Sequence, residues 1–208
     1  MKCHQCPTSC RKTSPSLFNK LLPFFSKKSS SQTVNLSQIP QIALVGMPNV
    51  GKSVLFHALT GTYVTVSNYP GTTVEVSRGQ TSIGDRSVAV IDTPGMYSLV
   101  PITEEERVAR DLLLKEPIDL AIHVLDAKNL ARMLPLTFQL LETGIPVLLA
   151  VNMMDEARQL EIEINPEELE KQLGIPVVTM AVAQGRGVKE LYRRMANYVP
   201  SDCLSPAY

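Results

Sequence analysis

The sequence predicts an α/β fold in which a mostly parallel six-stranded sheet carries helices on both faces. Short, almost wholly apolar runs such as 42–45 and 146–151 alternate with segments of helical periodicity. Strands buried on both faces of a parallel sheet show this pattern. The polar motifs follow these apolar runs directly, and ligands of such folds bind at the carboxyl ends of the strands. We therefore expect one domain with its site along one edge of the sheet.

Each predicted element has its own signal. The strands are short apolar or alternating runs, expected at 42–45, 74–81, 87–91, 120–125, 146–151 and 177–180. The helices have apolar residues at helical spacing and are expected at 52–60, 103–115, 130–142, 167–173 and 188–198. The polar stretches 62–73 and 92–101 are punctuated by glycine and proline and are predicted to be loops.

The charge distribution separates the domain, expected at 39–200, from a flexible leader over 1–38 and a short tail over 201–208. No Asp or Glu precedes Glu75, whereas seven Lys or Arg do, although the whole chain has a formal net charge of zero. Neutrality argues against a protein that coats nucleic acid, and no specific nucleic-acid partner is expected. The basic leader and its apolar stretch 17–25 fit an anionic membrane surface. A short docked helix or a disordered tail would have the same pattern.

Three of the four cysteines crowd the leader in a C-x2-C-x3-C pattern that includes a histidine. Cys3, His4, Cys6 and Cys10 are ligand types for zinc or an iron–sulfur centre. No second C-x2-C follows downstream, so a reduced, solvated tail is the alternative. No secretory signal is visible, and no apolar run reaches the roughly 18–20 residues that span a bilayer. The thiols are therefore expected to be reduced in the cytosol.

The stretch 46–53 fits the pattern G-x-x-x-x-G-K-S between the first predicted strand and the first predicted helix. Its glycines let backbone N–H groups approach an anion, and the helix N-terminus adds a favourable dipole. Lys52 would place a charge against the outer phosphates, and the Ser53 hydroxyl would bind magnesium. A chance glycine turn would not explain the strand–loop–helix context. The expected phosphate-binding residues are Gly46, Met47, Pro48, Asn49, Val50, Gly51, Lys52, Ser53 and Val54.

A second motif, D-T-P-G, ends the third predicted strand about forty residues after Lys52. Asp92 at that place can hold magnesium through water, and the N–H of Gly95 can approach a γ-phosphate. The pattern D-x-x-G is common by itself, and its spacing and its place at a strand end are what favour this interpretation. A helix-capping aspartate is the alternative.

A third motif, N-x-x-D, ends the apolar strand 146–151 with Asn152, Met153 and Asp155. A carboxylate can accept two N–H bonds from guanine, at N1 and the exocyclic N2, whereas adenine offers neither donor there. Charge-assisted bonds of this kind are worth roughly 1.5–3 kcal/mol each. GTPases usually have N-K-x-D, so Met153 loses a cation and keeps an apolar arm beside the base. A purely structural Asp155 is the alternative.

Two weaker signals complete the predicted site. Small residues after the last strand, above all Val182 and Ala183, would let backbone N–H groups reach the guanine O6. A threonine between the first helix and the second strand would close on magnesium when a γ-phosphate is present. The stretch Gly71-Thr72-Thr73 offers two candidates for that threonine.

With these residues assembled, the chain resembles a Ras-like P-loop GTPase of the translation-factor-related class. More narrowly, it resembles the cytoplasmic G domain of the FeoB ferrous iron transporter family over about residues 39–199. Residues 68–75, N-Y-P-G-T-T-V-E, are similar to that family's N-[WY]-[PA]-G-V-T-V-E. Residues 92–99 resemble D-L-P-G-x-Y-S-L, and residues 124–132 resemble V-V-D-A-x-N-L-x-R. Residues 152–155 match N-M-x-D, which accounts for the missing lysine.

The resemblance implies a GTP- and GDP-binding switch with slow intrinsic hydrolysis. It implies magnesium at Ser53, Thr73 and Asp92, with Thr73 preferred over Thr72. Asn49 matches the asparagine that binds potassium in potassium-activated relatives. Met96 stands where many GTPases have a water-orienting glutamine, so a potassium ion is one route to meeting transition-state charge. The residues implied in catalysis are Lys52, Asn49, Thr73 and Gly95.

The resemblance also implies partners that this chain does not contain. Family members continue into a helical regulatory domain and a transmembrane permease, which would act in cis or in trans at the inner face of the bacterial cytoplasmic membrane. A homo-oligomer is compatible with the sequence. The alternatives are a ribosome-assembly or RNA-modifying GTPase, which would need an RNA-binding face, and a nucleotide-dependent interaction domain that does not hydrolyse GTP.

Overall fold

The computed structural model describes residues 39–61 and 64–199. The strands are β1 Gln41–Val45, β2 Val64–Asn68, β3 Glu75–Ile83, β4 Arg86–Asp92, β5 Leu120–Asp126, β6 Val147–Asn152 and β7 Val177–Thr179. The helices are α1 Lys52–Thr60, α2 Glu104–Lys115, α3 Leu130–Glu142, α4 Met154–Gln159, α5 Pro166–Leu173 and α6 Val188–Met195. Single 3-10 turns lie at Ala127–Asn129 and Val182–Gln184.

The strands form one sheet in the order β2-β3-β4-β1-β5-β6-β7. Strands β4, β1, β5, β6 and β7 are mutually parallel, whereas β3 runs antiparallel to both β2 and β4. Every residue of β1, β5 and β6 is buried, as expected for parallel strands covered on both faces. This arrangement confirms the predicted α/β architecture and brings the carboxyl ends of β1, β4, β5 and β6 to one edge.

The sheet has seven strands where the sequence predicted six. The additional strand, β2, lies within the stretch 62–73 that was predicted to be a loop. Four of its five residues are exposed, because β2 stands at the edge of the sheet and pairs only with β3. The run V-T-V-S-N alternates apolar and polar residues over only five positions and is followed closely by proline and glycine, so its strand signal is short and easily read as part of a loop. Helix α4 was missed because only Ala157 of its six residues is buried.

Two apolar clusters fill the two sides of the sheet. On one side, Leu55 and Phe56 of α1 and Leu191 of α6 pack against β1, β5 and β6. On the other side, Leu112 of α2 and Leu136 of α3 pack against Ala43, Val45 and Met96. Packing of helices on both faces therefore fixes the positions of the parallel strands. The polar motifs at the carboxyl ends of these strands are positioned by the same packing.

His123 is a fully buried titratable group in the middle of β5. Its Nδ1 lies 3.0 Å from Thr137 Oγ1, and its Nε2 has no hydrogen-bond partner among residues 39–61 and 64–199. Burial, with a smaller contribution from the positive charge of Lys52, lowers the pKa of His123 to about 3. The folded protein therefore holds a neutral imidazole across the physiological range of pH.

This histidine should make the protein sensitive to acid. Below the usual histidine pKa of about 6.5, the unfolded chain takes up a proton that the folded chain refuses until about pH 3. His123 should therefore lower the free energy of unfolding by up to about 1.4 kcal/mol per pH unit as pH falls through this window. Denaturant titrations at several pH values from 7 to 4 measure this dependence. The free energy of unfolding should fall less steeply with decreasing pH in His123→Gln than in the parent. An equal pH dependence of the free energy of unfolding in the parent and in His123→Gln would contradict the assignment.

Candidate nucleotide-binding site

The loop 46–53 connects β1 to α1 and approaches its neighbours too closely for side chains at two positions. Gly46 has φ 148° and Gly51 has φ 92°, a region that favours glycine. A Cβ on Gly46 would lie 2.4 Å from the Val124 carbonyl oxygen, and one on Gly51 would lie 2.4 Å from Asn152 Nδ2. The loop is therefore pressed against the ends of β5 and β6, and its backbone conformation is that of a phosphate cradle.

Lys52 folds back over this loop. Its Nζ donates to the carbonyl oxygens of Gly46 at 3.1 Å and Met47 at 3.0 Å, and the residue is only 7% exposed. Burial lowers the pKa of Lys52, and the carboxylate of Asp92 opposes that shift. The ammonium group is thus held over the loop with two of its three donors directed at the backbone.

Asp92 ends β4 beside the start of α1. Burial raises the pKa of Asp92, while a hydrogen bond with Ser53 and the charges of Lys52 and His57 act in the opposite direction. Its Oδ1 is buried without a hydrogen-bond partner in the part of the chain that the structure describes. A hard divalent cation such as Mg²⁺ prefers oxygen ligands. The unpartnered carboxylate oxygen and the neighbouring Ser53 hydroxyl fit that preference.

The segment after Asp92 is attached to the phosphate loop. Thr93 Oγ1 donates to the Leu44 carbonyl oxygen at 2.7 Å, and the Met96 N–H donates to the Gly46 carbonyl oxygen at 3.1 Å. A Cβ on Gly95 would lie 2.6 Å from Cγ of Pro48, so this residue has room only as glycine. The Met96 side chain is fully buried in the core on the α2 side of the sheet. It therefore packs away from solvent and offers no polar atom to a water molecule.

Glu106 of α2 holds the loop that follows, which was not foreseen from the sequence. Its carboxylate accepts the N–H groups of Ile102 at 2.8 Å, Thr103 at 3.2 Å and Tyr97 at 3.2 Å. The hydrogen bond from Ile102, followed by those from Thr103 and Tyr97, keeps the pKa of Glu106 below its usual value. The T-x-x-E pattern predicts the capping bond to Thr103, but the other two depend on the path of the loop.

The two candidate threonines differ in what their hydroxyl groups do. Thr72 Oγ1 donates to the Tyr69 carbonyl oxygen at 3.0 Å and accepts the Val74 N–H at 3.2 Å. Thr73 is exposed, and its hydroxyl makes no hydrogen bond to any residue of the described ranges. The Tyr69 N–H donates to the Val74 carbonyl oxygen at 2.8 Å, which closes the loop that carries both threonines. The structure thus leaves Thr73, rather than Thr72, available to a ligand.

Asn152 joins the two ends of the site. Its Nδ2 donates to the Val50 carbonyl oxygen at 3.0 Å, and its Oδ1 accepts the Val182 N–H at 3.1 Å. The side chain is buried, so these bonds are protected from water. The Val182 N–H therefore already has an acceptor in Asn152. Of the two backbone donors predicted after β7, only the Ala183 N–H has no partner within 39–61 and 64–199.

Asp155 lies in the first turn of α4, just beyond the end of β6. The chain reaches it through Met153, which adopts a left-handed backbone conformation with φ 62°. Asp155 Oδ2 accepts a hydrogen bond from Gln184 Nε2 at 2.8 Å. Gln184 was not among the predicted residues, because nothing in the sequence indicates that the turn Val182–Gln184 reaches α4.

The predicted site also includes Asn49 and four residues of the leader. Asn49 is an exposed residue of the phosphate loop with φ 63°, so its side chain is accessible beside the phosphate cradle. Cys3, His4, Cys6 and Cys10 lie outside the described residues. Within the part that is described, no group of three or more His, Cys, Asp or Glu residues could hold a metal, and no helix is long and apolar enough to cross a membrane.

The central strand, the phosphate loop that follows it and the acidic residues at the ends of β4 and α4 define a Ras-like domain of the P-loop GTPase class. The comparison with known proteins then narrows the class. The chain belongs to the family of ferrous iron transport protein B, whose family model matches residues 40–195.

Full-length relatives are much longer than this chain. It is 43% identical over 161 residues to the Fe(2+) transporter FeoB of Escherichia coli (strain K12), which covers 76% of this chain and 21% of that protein. It is 44% identical over 154 residues to the Fe(2+) transporter FeoB of Salmonella typhimurium, covering 72% and 20%. The chain therefore spans about a fifth of the length of these relatives.

Solved structures of similar proteins match most of this chain. The G domain of the T. maritima FeoB iron transporter matches with a TM-score of 0.72 and 42% identity, covering 77% of this chain and 98% of that one. The cytosolic domain of the same transporter in a GDP form matches with a TM-score of 0.74 and 41% identity, covering 79% and 64%. Its GMPPNP form matches with a TM-score of 0.73 and 40% identity, covering 79% and 65%.

Proposed function

We propose that this chain is the GTP-binding and GTP-hydrolysing switch domain of a ferrous iron uptake system. One observation carries the proposal: a single buried amide, that of Asn152, ties the phosphate loop to the turn beside Asp155. A loop that binds phosphates and a carboxylate that recognises guanine are thereby held in one site. The similar T. maritima domains were solved in GDP and GMPPNP forms, which supports the same ligand class here.

The residues of the site divide between the two ends of the nucleotide. Lys52 and the N–H groups of the loop 46–53 would bind the phosphates, and the Gly95 N–H would meet the γ-phosphate. Ser53, Asp92 and Thr73 would hold Mg²⁺, which supplies positive charge against the β- and γ-phosphates. Asp155 would accept guanine N1–H and N2–H, while the Ala183 N–H would donate to O6. Adenine lacks those donors, so the site would select guanine.

Hydrolysis is proposed to be slow and to depend on potassium. The Met96 side chain is buried and cannot orient the attacking water. Asn49 is exposed beside the phosphate cradle and has an amide oxygen of the kind that binds potassium. A potassium ion held there would supply the positive charge that stabilises the transition state.

Single-turnover GTP hydrolysis in matched potassium and sodium buffers tests this function. We expect the rate in potassium to exceed that in sodium on the order of tenfold, the scale of one electrostatic contact to the transition state. Asn49→Ala should lower the potassium rate to the sodium rate, because it removes the side-chain oxygen. Asn197→Ala, at an exposed residue far along the chain, serves as the control. Equal rates in the two salts would contradict the potassium dependence, and no hydrolysis in either would leave a non-hydrolysing interaction domain.

Membership of the family supports a membrane partner for this domain. A membrane permease, covalently continuous with the domain or separate from it, would receive the signal at the inner face of the cytoplasmic membrane. No observation on the described residues favours the RNA-related alternative. Co-sedimentation with ribosomes would be the result that favours it.

A further inference from the structure

Four charged side chains lie together where the end of β5 and the turn that follows it meet the first turn of α4. We call Asp126, Lys128, Asp155 and Glu156 the charge cluster. Strands β5 and β6 pair in register so that Asp126 lies opposite Asn152. The turn Ala127–Asn129 after β5 therefore packs against α4, whose first turn contains Asp155 and Glu156.

The backbone of this turn is fixed by Asp126. Its buried carboxylate accepts the Lys128 N–H at 2.9 Å and Asn129 Nδ2 at 2.9 Å. These two bonds determine the direction in which Lys128 leaves the chain. A residue on an unrestrained surface loop would have no such support.

The Lys128 side chain reaches α4 from this anchored position. Its Nζ hydrogen-bonds the Glu156 carboxylate and lies 3.9 Å from Asp126 Oδ2, and the side chain is only 25% exposed. The hydrogen bond to Glu156 raises the pKa of Lys128, as do the charges of Asp126, Glu156 and Asp155. Lys128 is thus within electrostatic range of the carboxylate that would recognise guanine.

The cluster sets one ammonium among three carboxylates. Asp155 and Glu156 are neighbours in the first turn of α4, so their negative charges repel each other when no cation lies between α4 and β5. An ion pair that joins two elements also fixes where α4 begins relative to the end of β5. Asp155 precedes Glu156 directly in this first turn, so the placement of α4 also places Asp155, whose carboxylate would accept two bonds from a planar base.

We propose that Lys128 is the positioning cation of the purine end, supplying from the β5 turn the charge that the N-x-x-D motif lacks at Met153. This inference rests on the proposed guanine site and assigns to it a residue outside the usual motif. Lys128 orients Asp155 through Glu156 and offsets the repulsion among the carboxylates. It acts on base affinity and leaves the phosphate end unchanged.

The test measures GDP and ADP dissociation constants of the whole chain by calorimetry in Lys128→Met. We expect GDP affinity to fall roughly two- to fivefold, the scale of a solvent-screened ion pair that orients a binding group. The second substitution Met153→Lys in the same protein should restore most of that affinity, because it places a cation beside Asp155 from the other side. Lys115→Met is the matched control, since it breaks an exposed ion pair with Asp111 on α2.

Three outcomes decide the inference. Restoration of GDP affinity by Met153→Lys, with the thermal midpoint of Lys128→Met equal to that of the parent, supports it. A loss of GDP affinity that tracks a lower thermal midpoint and resists rescue overturns it, because Lys128 would then be a structural tie only. Unchanged GDP affinity in Lys128→Met also overturns it. Lys128→Gln, which keeps a donor for Glu156, replaces the methionine variant in case that variant does not fold.

A parallel measurement separates this inference from the proposed function. If the parent prefers GDP to ADP and Asp155→Ala removes that preference, the guanine site stands whatever Lys128 does. If the parent shows no preference between the two nucleotides, the proposed function itself fails.

Discussion

Replacing Asp155 by asparagine should lower GDP affinity by at least about 100-fold, since two charge-assisted bonds of roughly 1.5–3 kcal/mol each are disrupted. The carboxylate accepts at both oxygens, whereas an amide accepts at one and donates at the other. The guanine exocyclic amine would then face a second donor. Xanthine has a carbonyl at that position, so Asp155→Asn should bind xanthosine diphosphate more tightly than GDP.

Competition binding with GDP, xanthosine diphosphate and ADP measures this change of preference from guanine to xanthine. The Gln184 amide beside Asp155 does not obstruct it, because either an amide or a carboxylate oxygen can accept the bond from Gln184 Nε2. Asp85→Asn, in the exposed turn between β3 and β4, makes the same chemical change away from the site. A parent-like nucleotide preference in Asp155→Asn would remove the basis for guanine recognition.

Lys52→Met should strongly weaken nucleotide binding while leaving the fold intact. The ammonium is buried with two backbone carbonyls as partners, so its removal relieves a desolvation cost and loses two hydrogen bonds. These effects oppose each other, and the free energy of unfolding should change by no more than about 1 kcal/mol. Nucleotide affinity should fall by about 100-fold or more, because the phosphates lose a charge-assisted contact.

Thermal unfolding and calorimetry on the same sample separate the two effects. The charge of Lys52 also depresses the pKa of His123 in the folded protein. In Lys52→Met the acid-dependent loss of stability should therefore still begin near the unfolded histidine pKa of about 6.5, but it should level off at a higher pH and be smaller in total. Lys171→Met, on the exposed side of α5, removes a charge without touching the site. A large loss of stability in Lys52→Met, together with retained GTP affinity, would contradict the assigned role.

The sequence predicted the parts of the site that depend on local pattern. The phosphate loop, Asp92 and Asp155 follow apolar strands directly, and a parallel sheet brings strand ends together whatever the details of packing. Strand β2 and helix α4 were missed because each is short and its pattern is weak. The capping pattern at Thr103 was recognised, but Glu106 accepts two further N–H groups from a loop whose path no local pattern describes.

The remaining unforeseen contacts arise between distant segments. The Asn152 amide bridges Val50 and Val182, which are 102 and 30 residues away. Gln184 reaches Asp155 across 29 residues. Bonds of this kind depend on how β6 and β7 place their loops, which is a property of the assembled sheet.

The loop that carries Thr73 is clamped at its base, and this limits how far the threonine can travel. Asn68 and Glu75 pair across β2 and β3, and the Tyr69 N–H to Val74 carbonyl bond adds one more rung. Two residues of extended chain span at most about 7 Å. Thr73 can therefore move no farther than about 7 Å from Glu75 while β2 and β3 stay paired. A larger displacement of Thr73 toward a bound metal ion would require β2 and β3 themselves to move. The conformation of these edge strands would then depend on which nucleotide is bound.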